Sequence, residues 1–219
     1  MSDLLLADAA SLDDLRTYAA RARRLDPEAA VRLLAAGPVL AAYVGVLPGR
    51  GVTGSGATLG LRVFGLAEPA EVDVTVPAAA VLDRLAREPV LDRVAREGSD
   101  PGEARLPIPP MSVFVPWAGI TPPRSGWDPY AAFPGTDVIA AAEAGIAEVG
   151  VAGTGLAAQV EALRSRVWAQ PLGESPAPAG LAFAAYGLGF VHPQESVTLL
   201  RAGRWWRLTA PGGHALARS

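Results

Sequence analysis

Residues Val197–Arg218 read VTLLRAGRWWRLTAPGGHALAR and predict the C-terminal part of the fold. Three short runs with strand character are separated by the turn sequences Ala202-Gly203 and Pro211-Gly212-Gly213. The runs are 197–201, 204–208 and 214–218. Strands joined by short glycine-containing turns pair with their neighbours along the chain. The stretch therefore predicts an antiparallel β-meander of three strands.

Helical and strand patterns both occur upstream of this meander. Apolar spacing and capping residues predict helices at 12–25, 78–87, 136–150, 156–168 and 181–191. Strands are expected at 30–36, 39–47, 58–67, 72–76 and 112–115, with Gly37-Pro38 as a tight turn between the first two. We expect an α+β fold, in which helices pack on an antiparallel sheet and a long Pro-rich crossover leads to the meander.

Residues 98–135 contain nine prolines in 38 residues, yet they also carry large apolar side chains. Such a segment is stiff, and its apolar content indicates packing along the domain surface. We expect one domain over residues 1–219 that could divide into sub-lobes 1–97 and 136–219, joined by 98–135. A nine-residue repeat, Val81–Pro89 and Val90–Gly98, matches at seven of nine positions and predicts two short helical segments with charged outer faces.

Composition excludes several chemistries. The chain has no Cys and no Lys, and all 19 basic residues are Arg. Lysine Schiff bases, phosphate-loop lysines, cysteine nucleophiles, cysteine metal sites and disulfides are therefore excluded. A net charge of −3 and a pI near 5.4 give no general attraction to nucleic acid or anionic membrane. We expect no metal, no cofactor and no identifiable catalytic residue.

The chain is apolar for one that we expect to stay in the cytoplasm. Half of its residues are hydrophobic and the mean hydropathy is +0.25. The longest apolar stretch, 35–47, has 13 residues, whereas a membrane-spanning helix needs about 20. The beginning of the sequence also lacks a basic signal-peptide region. We therefore expect no membrane contact, and the apolar excess favours a surface buried against a second copy, in a homodimer.

A glycine-rich loop at Gly49–Gly56 contains the spacing G-x-G-x-x-G and offers a candidate ligand site. Backbone N–H groups of such loops can hold phosphate groups. The candidate ligand-binding residues are Gly49, Arg50, Gly51, Thr53, Gly54 and Arg62. A strand-like run follows instead of the helix that a dinucleotide site needs. Two interpretations stay open: a flexible hairpin loop, or a cradle for an anion or nucleotide.

The meander carries the second candidate surface. Its members are Arg201, Arg204, Trp205, Trp206, Arg207 and His214, and Ser196–Ser219 contains no acidic residue. Adjacent strand residues face opposite sides, so we expect one tryptophan in the core and the other exposed or capped. Core packing with ion pairs within the subunit, a self-association interface, and base stacking on nucleic acid remain as three interpretations.

Three weaker patterns are interpreted as ordinary structure. Gly173–Ala177 is similar to a nucleophile elbow, but Pro176 lacks the N–H that an oxyanion hole needs. His192 and Glu195 have the spacing of metal ligands, with Pro193 between them and no third ligand nearby. Glu71 and Asp73 share one face of a predicted strand, which we expect to face water.

Four stretches resemble a family of uncharacterised proteins from actinobacteria. They are LGLRVFGLAEPAEVDVTVPAAAVLDRLAR from Leu59, PPRSGWDP from Pro122, PAGLAFAAYGLGFV from Pro178 and GRWWRLTAPGGHALAR from Gly203. The resemblance implies a bacterial cytosolic origin and no assigned activity.

From the residues, the leading hypothesis is a non-catalytic protein that acts through a protein–protein surface, as a homodimer or with an unidentified partner. The first alternative is a small-molecule or anion binder, which could be an enzyme, using the Gly49–Gly56 loop. The third hypothesis, and the least favoured, is a nucleic-acid binder using the Arg/Trp hairpin.

Overall fold

The structure is a computed structural model that describes residues 3–49, 54–86, 104–151 and 157–219. The chain divides into two compact units that alternate along the sequence. The first unit comprises Met1–Val44 and Leu61–Ala118, and the second comprises Gly45–Gly60 and Gly119–Ser219. The prediction of one domain with sub-lobes 1–97 and 136–219 stays a prediction.

Five α-helices and ten strands lie in the described residues. The helices are α1 (Ala9–Leu25), α2 (Ala78–Ala86), α3 (Gly135–Val151), α4 (Ala157–Trp168) and α5 (Gly180–Gly187). The strands are β1 (Leu4–Leu5), β2 (Ala30–Leu47), β3 (Thr58–Pro77), β4 (Arg105–Leu106), β5 (Asp128–Pro134), β6 (Pro171–Leu172), β7 (Ser175–Pro178), β8 (Ser196–Ala202), β9 (Trp205–Ala210) and β10 (Gly213–Arg218). None of these helices is both long and apolar enough to cross a membrane.

The predicted α+β class is confirmed. Six strands form one antiparallel sheet in the order β2-β3-β10-β9-β8-β5, while β1 pairs with β4 and β6 pairs with β7. Within the sheet, β8, β9 and β10 form the predicted antiparallel meander, with Arg201 opposite Trp206 and Trp205 opposite Arg218. Strand β5 pairs antiparallel with β8 at one end of the sheet.

Helix α1 begins where the sequence offers a capping carboxylate. The carboxylate of Asp8 accepts a hydrogen bond from the backbone N–H of Ser11 (2.7 Å), and this bond lowers the pKa of Asp8. Arg23 and Arg24 lie in the last turn, where positive charge interacts favourably with the helix dipole. The buried face of α1, which includes Leu15 and Tyr18, packs in the first unit, where α1 contacts α2.

The prediction of two strands joined by a tight turn at Gly37-Pro38 is wrong. Strand β2 runs without interruption through both residues. Gly37 takes a φ of 60°, and its N–H donates to the Glu71 carboxylate (3.0 Å). Glycine tolerates this conformation, so the irregularity stays inside one strand.

Strand β3 is likewise one strand, not the two predicted at 58–67 and 72–76. Most side chains between the two runs are exposed, so no alternation of apolar residues marks that part of the strand. Periodicity in a sequence reports burial and not backbone hydrogen bonding. The sequence pattern of a continuous strand with an exposed middle therefore predicts two separate strands.

The strands in the described part of the Pro-rich crossover differ from the one that was predicted there. The strand predicted at 112–115 is absent, and the N–H of Val113 donates to the carbonyl of Thr75 (2.8 Å) as a single backbone contact. Strand β5 was not predicted, because Pro129 and Pro134 lie within it. Both prolines are compatible with a strand at the edge of a sheet, where one row of N–H groups has no partner.

The helix predicted at 181–191 ends earlier, at Gly187. Gly189 has a φ of 66°, and the N–H of Phe190 donates back to the carbonyl of Ala185 (2.7 Å). This is the hydrogen bond of a glycine-terminated helix end. In the repeat, α2 covers most of the first copy, whereas the second copy, 90–98, lies outside the described residues.

Gly135 should be required at the start of α3. A Cβ at this position would lie 2.0 Å from the carbonyl oxygen of His192, which is backbone and cannot move aside cheaply. We expect Gly135→Ala to lower the free energy of unfolding by at least about 2 kcal/mol. Gly150→Ala is the control, because its Cβ meets nothing within 4 Å. Urea unfolding should show the control unchanged or stabilised by up to about 1 kcal/mol; equal stability of both variants would contradict the predicted clash.

Asp73 should stabilise the first unit only while it is ionised. Arg32 donates from Nε and Nη2 to the two carboxylate oxygens of Asp73, both at 2.8 Å, and this pairing lowers the pKa of Asp73. We expect Asp73→Asn to lower the free energy of unfolding by about 1 kcal/mol at neutral pH, a modest value because Asp73 is half exposed.

The effect of Asp73→Asn should depend on pH. It should be complete above the ordinary aspartate pKa of about 3.9 and disappear as the pH falls through the lower pKa of the folded protein. Denaturant unfolding at a series of pH values measures it, with Asp83→Asn on the exposed face of α2 as control. A difference that persists unchanged at the lowest pH would contradict the ion pair as its cause.

Candidate functional site

The second unit contains a cavity of about 330 Å³ that lies beside the glycine-rich loop. Three structural elements and the loop ends supply its wall. Its polar lining consists of Ser55, Glu161, Arg164, Ser165, Arg218 and Ser219. Its apolar lining includes Leu47, Trp168, Pro176 and Pro178. The cavity thus combines charged groups with apolar surface, which is typical of small-molecule sites.

Helix α4 contributes half of the six polar residues in the wall. Arg164 and Ser165 each lie three or four residues from both Glu161 and Trp168, which places all four on one face of a helix. The ring of Trp168 stacks on Phe183, with centroids 4.4 Å apart and planes at 23°. This buried contact fixes the end of α4 and thereby the arginine one turn earlier.

Arg218 reaches the cavity from β10, where backbone hydrogen bonds hold it against the end of the loop. The N–H of Gly56 donates to the carbonyl of Arg218 (2.7 Å), and the N–H of Arg218 donates to the carbonyl of Ala57 (3.0 Å). The guanidinium carbon lies 6.0 Å from the centre of the Trp205 ring. Backbone pairing and the neighbouring ring therefore position this arginine.

The two arginines in the cavity have no ion-pair partner among the residues that the structure describes. Arg164 and Arg218 are each half-buried, and neither makes an ion pair within the part of the chain that the structure describes. Glu161 is exposed at the same wall and is also unpaired among those residues. The charged side chains of the described lining are therefore two arginines and one glutamate.

The sequence-predicted loop site is only partly described. Arg50, Gly51 and Thr53 lie outside the described residues. Gly54 has a φ of 63°, a conformation that favours glycine, and a Cβ there would also displace the flexible Cδ1 of Ile120, which lies 2.0 Å away. Gly49 is close to Gly54, since its own Cβ would lie 2.7 Å from the Gly54 backbone. The two glycines therefore close the base of the loop.

Arg62, the sixth predicted ligand residue, belongs to the first unit. Its guanidinium forms an ion pair with Asp14 of α1 and lies 5.6 Å from the centre of the Phe64 ring. These contacts connect β3 with α1. The role of Arg62 in the described structure is therefore to join a strand and a helix.

The meander buries both of its tryptophans. Trp205 and Trp206 are only 7% and 3% exposed, where one ring was expected in the core and the other exposed or capped. Trp206 is the capped ring: Arg201 lies over its face at 5.1 Å, and Tyr130 meets it edge to face at 4.9 Å. Stacking of bases needs an exposed ring, and these two are occupied.

Arg207 has an unusual environment within the meander. Its guanidinium carbon lies 4.6 Å from the centre of the Trp127 ring, and its Nε is buried without a hydrogen-bond partner in the described residues. This burial lowers the pKa of Arg207. The other predicted surface residues make local contacts: the Arg204 carbonyl accepts from the Ser219 N–H (2.9 Å), and His214 Nδ1 lies 3.1 Å from Thr209 Oγ1.

The three weaker patterns make structural contacts. Ser175 is buried in β7 and its hydroxyl donates to the carbonyl of Leu172 (2.8 Å). The Glu195 carboxylate accepts from the backbone N–H of His192 (3.1 Å). Glu71 and Asp73 accept hydrogen bonds from Gly37 and Arg32. No three His, Cys, Asp or Glu side chains in the described ranges come together as a metal site.

Sequence reasoning did not find Glu161 and Arg164. Their helical spacing with Trp168 was readable, since all three fall on one face of the predicted helix at 156–168. The sequence does not show that this face meets Arg218 and the prolines of β7, because those neighbours are set by the tertiary structure.

Two family descriptions cover most of the chain. Residues 1–105 match Domain of unknown function (DUF8010), and residues 122–219 match Domain of unknown function (DUF8185). No curated protein matches the chain. The chain fits an uncharacterised family. The cavity draws Leu47, Pro48, Ser55 and Gly56 from the DUF8010 segment and the rest of its described lining from the DUF8185 segment.

The side chain of Arg207 should stabilise the folded protein through packing and not through hydrogen bonds of its guanidinium. We expect Arg207→Met to leave the free energy of unfolding unchanged or to raise it by up to about 1 kcal/mol, because the methionine stem can stay on Trp127 while the unpaired donor disappears. Arg207→Ala removes the stem and should lower stability by about 1–3 kcal/mol. Urea unfolding of the two variants measures the difference, and equal destabilisation would show that the charge itself matters.

Proposed function

We propose that the protein binds a small organic anion in the cavity lined by Arg164 and Arg218. The observation that carries the proposal is a pair of half-buried arginines that line one cavity and form no ion pair within the described residues. Charged groups removed from water are stabilised by hydrogen-bonded ions of opposite charge. A bound carboxylate or phosphate would supply that partner to both arginines.

The apolar part of the lining supports an organic ligand over an inorganic ion. Leu47, Trp168 and two prolines offer surface that an inorganic ion would leave in contact with water. Burial of apolar ligand surface contributes roughly 25 cal/mol per Å². A ligand with an anionic end and an apolar body uses both parts of the lining.

The lining favours binding over catalysis. Ser55 and Ser165 have no hydrogen bond to a base among the described residues, and neither histidine lines the cavity. A serine nucleophile needs an adjacent base, which is absent from this lining. Among the described residues, Glu161 is the single carboxylate side chain of the lining, so none of them supplies a second acid or base to work with it.

The proposal agrees with the alternative hypothesis from the sequence, that of an anion binder at the Gly49–Gly56 loop. Pro48, Ser55 and Gly56 line the cavity from both ends of that loop. The arginines of this proposal, Arg164 and Arg218, were not among the predicted ligand residues, of which Arg50 lies outside the described residues and Arg62 belongs to the first unit.

Benzoate should bind in the cavity, and the arginines should be responsible. We expect benzoate to bind more tightly than benzamide or benzylamine, which share its ring but carry no negative charge. Arg164→Gln and Arg218→Gln should each weaken benzoate binding about tenfold or more, as expected for loss of a charge-assisted hydrogen bond. Chemical-shift titration by NMR measures these affinities.

Arg166→Gln is the matched control, because Arg166 is exposed on the same helix and does not line the cavity. It should leave the affinity unchanged. Equal binding of benzoate and benzamide, or an equal loss in Arg166→Gln, would contradict the proposal.

A second proposed function is self-association, and the first unit offers a surface for it. Phe114 is 94% exposed and Met111 is 62% exposed in the same short segment. Exposed large apolar side chains close together are typical of protein contact surfaces. The homodimer expected from the composition would bury them against a second copy.

Light scattering should therefore give twice the subunit mass of 22.5 kDa at micromolar concentration. Phe114→Ser should shift the mass toward one subunit, because it removes the largest exposed apolar group. Val151→Ser is the control, since Val151 is also well exposed but lies on α3. A mass of one subunit for the wild-type protein would end this proposal.

A further inference from the structure

Glu161 and Arg164 stand three residues apart on α4 but do not pair. Opposite charges at this spacing commonly form an ion pair on a helix. In the same protein, Asp13 and Arg16 have this spacing on α1 and do form one. Because both Glu161 and Arg164 line the cavity, the wall presents separate negative and positive groups to whatever occupies it.

From this arrangement, which rests on the proposed function, we infer that the ligand is a zwitterion, an α-amino acid with an apolar side chain. Its carboxylate binds Arg164 and Arg218, and its ammonium group binds the carboxylate of Glu161. Its side chain lies against the apolar lining, which includes Trp168 and Leu47.

The charges of the lining match those of an amino acid. A simple anion would leave Glu161 beside the ligand carboxylate, where like charges repel. A simple cation would leave two half-buried arginines without a partner. Only a ligand that carries both charges gives each of the three groups an opposite neighbour.

The size of the cavity favours the same class of ligand. About 330 Å³ is at the lower end of the range of 300–1,000 Å³ that is usual for ligand pockets. A free amino acid is among the smaller metabolites that carry both charges. The hydroxyl groups of Ser55 and Ser165 offer further donors and acceptors at the polar wall.

Three ligands with the same ring test the inference: L-phenylalanine, 3-phenylpropanoate, which lacks the ammonium group, and phenethylamine, which lacks the carboxylate. The affinity of the full-length protein for each is measured at neutral pH by NMR titration. We expect phenylalanine to bind about two- to five-fold more tightly than 3-phenylpropanoate, because the Glu161 carboxylate is exposed and its ion pair is partly screened. Phenethylamine should bind most weakly.

Glu161→Gln tests the negative group directly. This variant should bind phenylalanine and 3-phenylpropanoate equally, with no loss of affinity for 3-phenylpropanoate. Glu148→Gln, an exposed glutamate on α3 that does not line the cavity, is the control and should keep the preference for phenylalanine.

The outcomes separate the inference from the function on which it rests. If phenylalanine binds no more tightly than 3-phenylpropanoate, or if Glu161→Gln leaves the ratio unchanged, the zwitterion is wrong. If 3-phenylpropanoate binding still falls in Arg164→Gln and Arg218→Gln, the anion site stands without the amino-acid class. If no ligand depends on either arginine, both proposals are wrong.

Discussion

The second unit depends on the backbone pairing between Arg218 and the residues that follow the glycine-rich loop. The two hydrogen bonds with Gly56 and Ala57 join β10 to the start of β3. They require the chain to turn sharply just before β3, and Gly54 and Gly56 make that turn with φ values of 63° and 80°. Residues other than glycine adopt this backbone conformation only at a cost in conformational free energy. The described glycines thus have a structural requirement that is independent of any ligand.

The elements whose apolar pattern and turn residues lie close together in the sequence could be predicted. The elements that depend on pairing with distant strands could not. The meander was predicted because its apolar runs and glycine turns all occur within 22 residues of sequence. Strand β5 was missed because an edge strand with two prolines has neither the composition nor the periodicity of a central strand. Gly37-Pro38 was interpreted as a turn because glycine next to proline favours one, but pairing across β2 outweighed that local preference.

The candidate site was less predictable than the fold, for a related reason. A cavity lined from a helix, a hairpin, a loop and the last strand has no contiguous signature in the sequence. Arg164 and Arg218 are separated by more than 50 residues, and neither belongs to a recognisable motif. The glycine spacing was the strongest local signal, and the ends of that loop border the cavity. It did not reveal which arginines face that cavity.

The arginines of this unit have two kinds of surroundings. Arg201 and Arg207 lie over the faces of Trp206 and Trp127, so the rings already cover one side of each cation. Because the chain has no lysine, arginine is its only permanently charged side chain. A guanidinium also remains charged when burial lowers its pKa, so the polar groups around it must compensate. Within the described residues, Arg164 neither lies over an aromatic ring nor forms an ion pair. A ligand in the cavity could supply a carboxylate or phosphate partner to it.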